Sequence, residues 1–392
     1  MQSTATQIVR TLQHEGHTAY WAGGCVRDAL MKKEPKDFDI ATSARPEQIE
    51  ALFKKTHAIG KNFGVITVME NGHHFEIATF RSDSASSDGR RPDAILFSHP
   101  AEDALRRDFT VNGLFYDPVN EEFHDFVGGR NDLQNKLIRF IGDPHQRILE
   151  DHLRILRAIR FKATLGFSYH AETWAALKHH AHLASKVSWE RVRDELNKMI
   201  TSSAAAVAIQ DLKETGVLVH IVPELSSGNT PDLSVLPDGT SLALRWAILF
   251  LQLEQSPEPV LRRLRFARRD MEEILWLWQH RNRLPEIAAL SLGRLRNFCF
   301  SAQFLDLLSL FEMNQKSPKE AILLKELREH HQDCLAHFKE KPQPFLTGQD
   351  LVQTLGIQPG PKLGALLEEA YELQLSHRLN SKEEAMEWVR GN

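Results

Sequence analysis

The sequence predicts an α+β fold in its N-terminal third and an all-helical remainder. Between Tyr20 and Val127, short apolar runs alternate with polar residues at strand period and are separated by glycine turns. Asn71-Gly72 stands between two such runs, which is the strongest short hairpin signal. From Gly142-Asp143-Pro144 onward, the apolar residues recur at helical spacing. At 392 residues the chain can hold two or more domains with substantial cores.

In order, Thr4 to His14 reads as a helix with Ile8, Val9 and Leu12 on one stripe and Gly16 at its stop. Tyr20 to Ala22 is a short strand running into Gly23 and Gly24, which lack a Cβ and let a phosphate approach the backbone. Cys25 to Met31 then reads as a helix whose N-terminal amides favour a polyphosphate. After a basic loop, Asp37 to Ile40 alternates as a strand, with both aspartates on one face and Phe38 and Ile40 toward the core. Two carboxylates on one face repel unless a cation sits between them. Magnesium suits such a pair, because it takes a few carboxylates plus substrate phosphates and waters. An isolated DxD is common in surface turns, and here the glycine-helix-strand frame before it favours the functional reading.

Arg45 to Lys54 is a further helix, opened by Pro46. Gly64 to Glu70 and His74 to Phe80 are the hairpin strands, with Glu76 facing opposite to Phe75 and Ile77. Arg81 to Pro92 is polar, rich in Ser and Gly, and reads as a loop carrying Arg81, Arg90 and Arg91. Asp103 to Arg107 ends a helix and Phe109 to Leu114 begins the next, with a hairpin over Phe115 to Val127 closed by Gly128-Gly129. Glu150 to Phe161 reads as one helix with a Leu153, Leu156, Ile159 and Phe161 stripe, which makes Asp151 and Arg154 neighbours on one face.

These motifs resemble those of the class II tRNA CCA-adding enzyme and bacterial poly(A) polymerase family, a branch of the polymerase-β-like nucleotidyltransferases. The resemblance rests on Gly23-Gly24-x-Val26-Arg27-Asp28, Asp37-x-Asp39-x-Ala41-Thr42, Arg106-Arg107-Asp108-Phe109-Thr110-Val111-Asn112-Gly113 and Glu150-Asp151-x-x-Arg154-x-x-Arg157. Ser188 to Leu196 resembles the family's last motif, in which Glu190, Arg193 and Glu195 read as structural. Gly113 stands where alanine or serine is more usual.

The resemblance implies a nucleotidyltransferase head with a small mixed sheet over residues 1–139. A helical neck (140–200), body (201–340) and tail (341–392) would follow. It implies template-independent addition of CCA to the 3′ end of tRNA from CTP and ATP, with pyrophosphate released. Asp37 and Asp39 would bind two Mg2+ ions, and Glu76 would be the third catalytic carboxylate. Gly23, Gly24, Arg27 and Arg107 would meet the triphosphate, and Asp108 and Asn112 the sugar. Asp151 and Arg154 would select the base, with Arg157 supporting the pocket and Glu150 orienting it. The loop at Arg81 to Pro92 matches one that helps reshape the family's pocket between C and A addition; CC-only members lack it. A poly(A) polymerase or an A-adding enzyme shares these motifs, and a non-catalytic scaffold would have lost a metal carboxylate.

The remaining signals are weaker. Net charge is −4, so any RNA contact must come from clusters such as Arg262 to Arg269 and Arg281 to Arg283. Those clusters equally suit a solvated helix face. Ser226 to Thr240 is the best internal linker, Lys339 to Pro344 marks another boundary, and Leu346 to Gly364 resembles the family's C-terminal module, where a helix N-terminus could meet RNA phosphate. Three widely spaced cysteines form neither a disulfide framework nor a zinc motif, which fits a reducing cytoplasm. The N-terminus lacks the apolar stretch of a signal peptide, and no apolar run reaches membrane-span length, so no membrane partner is expected. His73-His74, His179-His180 with His182, and His330-His331 read as surface histidines. Nothing in the sequence selects an oligomeric state.

Overall fold

The computed structural model describes residues 1–58, 60–83, 95–226, 231–237 and 239–391. The chain divides into two compact units, Met1–Ser234 and Val235–Asn392, and the division falls inside the Ser226 to Thr240 stretch.

In the first unit, helix α1 (Gln2–His14) buries Ala5, Ile8, Val9 and Leu12, at the spacing of one helical face. Strand β1 (Ala19–Ala22) leads through Gly23 into helix α2 (Gly24–Leu30). Gly23 has φ +73, a conformation that costs glycine little. Strand β2 (Ile40–Thr42) is followed by helix α3 (Pro46–Leu52) and strands β3 (Thr56–His57), β4 (Val65–Glu70) and β5 (His73–Thr79). Asn71 and Gly72 both have positive φ, as a type I′ hairpin turn between β4 and β5 requires. Strands β6 (Arg81–Asp83) and β7 (Ile95–Phe97) pair with each other. Helix α4 (Pro100–Arg106) and strands β8 (Leu114–Asp117) and β9 (Glu122–Asp125) follow.

Seven strands form one mixed sheet in the order β3-β4-β5-β2-β1-β8-β9, in which only β2 and β5 run parallel. One face carries the main core, where Ile8, Leu12, Trp21, Phe38, Ile40, Ile49, Phe75 and Ile77 pack together. The other face holds a smaller cluster of Ala22, Ala41, Phe80, Ala104 and Phe115. Helices α5 (Gly129–Gln134), α6 (Pro144–Glu150), α7 (Arg154–Leu165), α8 (Ala171–His179) and α9 (Trp189–Ile200) complete the part that bears on the site.

Several sequence expectations are corrected. The hydrogen-bonded strand begins at Ile40, so Asp37 and Asp39 lie on an extended lead-in. The alternation survives there, because Phe38 is buried against Trp21 (ring centroids 4.8 Å) while both aspartates stay exposed. Phe109 to Leu114 does not begin an α-helix. Phe109 bridges to Phe140, which keeps its backbone extended and leaves room for one 3-10 turn, Thr110–Asn112, before β8. Gly128-Gly129 does not close a hairpin. Asp125 accepts from the amides of Gly129 and Arg130, both at 2.9 Å, and so opens α5.

Glu150 to Phe161 is two helices rather than one. Asp151 is extended (φ −149, ψ 104), and its carboxylate caps the next turn by accepting from Leu153 N–H at 3.1 Å. Arg81 lies in a strand rather than a loop, while Arg90 and Arg91 lie outside the described residues. His180 is buried rather than on the surface, with a ring nitrogen 3.1 Å from His145. Burial, followed by neighbouring histidine charge, holds its pKa below the usual value.

The second unit is helical throughout its described elements. At its C-terminal end Leu351, Leu366, Ala370, Ala385 and Val389 form a core. The basic clusters are largely neutralised within their own helices. Arg262 pairs with Glu258, Arg268 with Glu272, Arg269 with Glu273, and Arg283 with Glu286. Among the described residues no helix is long and apolar enough to cross a membrane.

Candidate active site

The first unit contains an open cavity of about 590 Å³. Its wall includes Gly23, Gly24, Arg27, Asp37, Asp39, Arg107, Asp108, Asn112, Asp151, Arg154 and Arg157. The β1–α2 turn supplies the glycines, and the lead-in to β2 supplies the aspartates. The 3-10 turn supplies Asn112, and the α6–α7 break supplies Asp151. Residues far apart in sequence thus converge because the central strands end at this cavity. Glu76 lies outside the lining. Its strand register places it beside Asp39, since Ile77 pairs with Ile40 in the parallel β5–β2 pair.

Gly23 is favoured by its positive φ, and a side chain there would also displace the end of Arg107. A Cβ there would stand 2.9 Å from the Arg107 guanidinium. The amide of Ala22 donates to the Asp39 carbonyl at 2.9 Å, tying the lead-in to the sheet. Cys25 is buried behind it, and burial followed by the charge of Asp39 pushes its thiol up to about 12, so it remains an inert packing group.

Each arginine lining the cavity has a carboxylate partner. Arg27 pairs with Asp28 at 2.7 Å, and Arg106 and Arg107 share the buried Asp103 at 2.7 and 3.0 Å. Arg154 pairs with Glu150 at 2.9 Å, Arg157 with Asp108 at 2.6 Å, and Arg191 with Asp151 at 3.3 Å. A continuous network crosses the site. Asn112 accepts from Arg27 at 2.6 Å and donates to Asp108 at 3.1 Å, and Asp108 in turn accepts from Arg157. Desolvation opposes ionisation of Asp108. The charge of Arg157 and the hydrogen bonds from Asn112, Arg157 and Phe109 outweigh it and hold the carboxyl below its usual value.

The two aspartates of the β2 lead-in differ from this pattern. Among the described residues, neither the Asp37 nor the Asp39 side chain has a hydrogen-bond or ion-pair partner. Burial by surrounding atoms pushes Asp39 up to about 6, followed by the charges of Asp37 and Glu76 and against the opposing pull of Arg107. The residue still keeps a water-accessible edge on the cavity. Among the described residues no group of three or more His, Cys, Asp or Glu side chains gathers tightly enough to cage a metal. Two uncompensated carboxylates beside an arginine-rich wall suit an ion that takes its remaining ligands from phosphate and water.

Family models match along the chain. "Poly A polymerase head domain" covers residues 19–139, "Probable RNA and SrmB- binding site of polymerase A" covers 166–228, and "tRNA nucleotidyltransferase domain 2" covers 240–389. The chain is 33% identical over 377 residues to the CCA-adding enzyme of Lacticaseibacillus paracasei, covering 93% of this chain and 89% of the relative. It belongs to the class II CCA-adding enzyme family. The CCA-adding enzyme of Levilactobacillus brevis is 31% identical over 388 residues, covering 93% of this chain and 91% of the relative. The crystal structure of the Bacillus stearothermophilus CCA-adding enzyme in complex with CTP is similar at a TM-score of 0.82. That likeness has 27% identity and covers 99% of this chain and 97% of the other.

Three further residues line the cavity that the sequence motifs do not single out as site residues. Arg191 lies in α9 within the Ser188 to Leu196 motif, where only Glu190, Arg193 and Glu195 are assigned a role. Leu153 and Phe161 read as core stripe, but both line the cavity. Phe161 also gathers the guanidinium groups of Arg27, Arg157 and Arg160 over its ring, at 5.4, 5.3 and 4.0 Å. An aromatic within a run of arginines was the available signal.

Proposed function

We propose that this chain adds the 3′-terminal CCA to tRNA from CTP and ATP, without a nucleic-acid template and with release of pyrophosphate, in the cytoplasm. The observation that carries this reading is the charge arrangement of one cavity. Its arginines are paired and pre-positioned, while among the described residues of its lining the Asp37 and Asp39 side chains have no ion-pair partner.

Asp37 and Asp39 would hold two Mg2+ ions. Held by these two residues, the ions would supply Lewis-acid stabilisation of the primer 3′-hydroxyl and of the leaving pyrophosphate. Glu76, beside Asp39, completes the acidic edge and orients or deprotonates that hydroxyl. Gly23 and Gly24 let the triphosphate reach the backbone amides at the start of α2, while Arg27 and Arg107 meet its oxygens. Asp108 already has its oxygens engaged, so it acts on the sugar through Asn112, whose second amide N–H is left for a ribose hydroxyl. Asp151 accepts from the exocyclic amine of C or A, and Arg154 donates to the adjacent ring nitrogen; U and G present neither pattern. Arg157 supports this wall through Asp108. Residues 1–139 then act as the catalytic head and 140–200 as the base-selecting neck. The helical body (201–340) follows, and the tail (341–392) binds tRNA. Most of the rate comes from positioning and electrostatics.

The test is single-nucleotide extension, with magnesium, of tRNA transcripts ending before CCA, after C and after CC. Each is offered CTP, ATP or both. Addition of C, C and A followed by a stop is expected. Unlimited A addition would make the chain a poly(A) polymerase, and A added only after CC would make it an A-adding enzyme. No incorporation would return it to a non-catalytic RNA-binding scaffold.

A further inference from the structure

Asp151 and Arg154 are each braced by a second charged residue, and one brace has no part in the reading above. Arg154 donates to Glu150 at 2.9 Å and to the backbone carbonyls of Arg147 and Arg106 at 2.8 and 3.2 Å. Asp151 sits at the break between α6 and α7, with one local bond from Leu153 N–H to its Oδ1. Its ion-pair partner is Arg191, carried by α9, forty residues further along. Nη2 lies 3.3 Å from Oδ2 and Nη1 lies 3.5 Å from Oδ1, a side-by-side arrangement. Arg157 also feels the charge of Asp151, but its guanidinium is committed to Asp108. The side chains of Asp151 and Arg191 are 28% and 37% exposed, and both line the cavity.

We propose that Arg191 is a positioning residue for Asp151 and, through it, a determinant of base selection. This rests on the reading that Asp151 accepts from the exocyclic amine of the incoming base. Such a carboxylate must remain ionised, because a protonated carboxyl can donate to the carbonyl oxygen of uracil or guanine. The carboxylate must also be turned correctly. Leu153 holds Oδ1 alone, whereas the planar fork of Arg191 addresses both oxygens and leaves Oδ2 with a second lone pair, on a residue that lines the cavity. At 3.3–3.5 Å and partly in water, the pair adds little to stability. Its placement in the wall therefore matters for the ligand more than for the fold.

The experiment compares kcat/KM for CTP and UTP on tRNA lacking CCA, for the wild type, Arg191→Gln, Arg191→Lys and Asp151→Asn. Asp151→Asn is expected to lose the CTP preference. Arg191→Gln is expected to lower the CTP-to-UTP ratio by about tenfold, the worth of a hydrogen bond to a charged group. Arg191→Lys should fall between, since an ammonium keeps the charge and loses the fork. If Arg191→Gln keeps the wild-type ratio, or slows both nucleotides equally, while Asp151→Asn loses the ratio, the inference is overturned and the base-reading assignment stands. If Asp151→Asn keeps the ratio, the assignment itself fails and the inference fails with it. Should Arg191→Gln not fold, Arg191→Lys decides: a ratio below wild type supports the proposal, and an unchanged ratio overturns it.

Discussion

Replacing Arg157 with methionine tests the network that crosses the cavity. The substitution keeps most of the side-chain stem and removes the guanidinium, which donates to Asp108 Oδ2 through Nε at 2.8 Å and lies 2.6 Å from it through Nη2. Asp108 is 9% exposed, so the change leaves a buried carboxylate without its cation. Removing one member of a buried pair costs about 3–5 kcal/mol. The lower end applies here, because the Arg157 side chain is 32% exposed and Asp108 keeps its bonds from Phe109 N–H and Asn112. The expected loss is therefore about 3 kcal/mol, a fall in Tm of roughly 6–12 °C at about 2–4 °C per kcal/mol for a unit of this size. Asp108→Asn alone leaves Arg157 able to reach water and should cost about 1–2 kcal/mol. Combined with Arg157→Met, it should cost less than the sum, since no unpaired charge is left.

The pH dependence follows from the sign of the shift. The folded-state pKa of Asp108 is depressed below 3.8, so its contribution is present above that value and lost as pH falls through the folded one. Thermal or urea denaturation at neutral pH measures all three variants. A loss under about 0.5 kcal/mol for Arg157→Met, or strictly additive losses in the double variant, would refute the argument.

Other consequences can be checked independently. Asp39→Asn should abolish nucleotide transfer yet stabilise the divalent-free protein. A folded-state value raised from 3.8 to about 6 makes the charged form costly above the higher value and costs nothing below the lower one. The shift corresponds to about 3 kcal/mol before screening, and with an exposed edge the gain is about 1 kcal/mol, seen as a Tm higher by roughly 2–4 °C in chelator near pH 8. That gain should vanish near pH 4 and reverse with added magnesium; a pH-independent difference would contradict it. Gly23→Ala puts a side chain at φ +73 and pushes the end of Arg107 aside, and should raise KM for CTP and ATP by about tenfold in steady-state kinetics. Gly293→Ala would set a Cβ 2.0 Å from the Glu372 carbonyl oxygen, wedging apart the helices Leu292–Cys299 and Pro361–Leu375. It should destabilise the second unit by about 2 kcal/mol or more in denaturant titration, and a neutral result would mean that those helices separate easily.

Local patterns carried much of this molecule. The alternation around Phe38 turns Asp37 and Asp39 outward even though the hydrogen-bonded strand begins only at Ile40. Asn71-Gly72 makes its hairpin because both residues tolerate positive φ. Patterns of this kind are legible because side-chain periodicity and turn conformation depend on a few consecutive residues. The helix expected from Glu150 to Phe161 is broken for a reason periodicity does not contain. The carboxylate of Asp151 bonds the Leu153 amide, while Arg147 and Arg154 reach carbonyls of the α4 end. Likewise, the extended backbone of Phe109 depends on Phe140, a bridge formed only after folding.

The sequence by itself determined the α+β head, the helical remainder, the carboxylate pair and the family motifs, since each is written in short-range spacing. Tertiary structure decided which charge meets which. Asp103 takes Arg106 and Arg107, Asp108 takes Arg157, and Asp151 faces Arg191 rather than its near neighbour Arg154. Pairings such as Asp108–Arg157 and Asp151–Arg191 join residues some forty positions or more apart. Coulombic attraction acts through space rather than along the chain, so the partner is chosen by how the helices pack against the sheet.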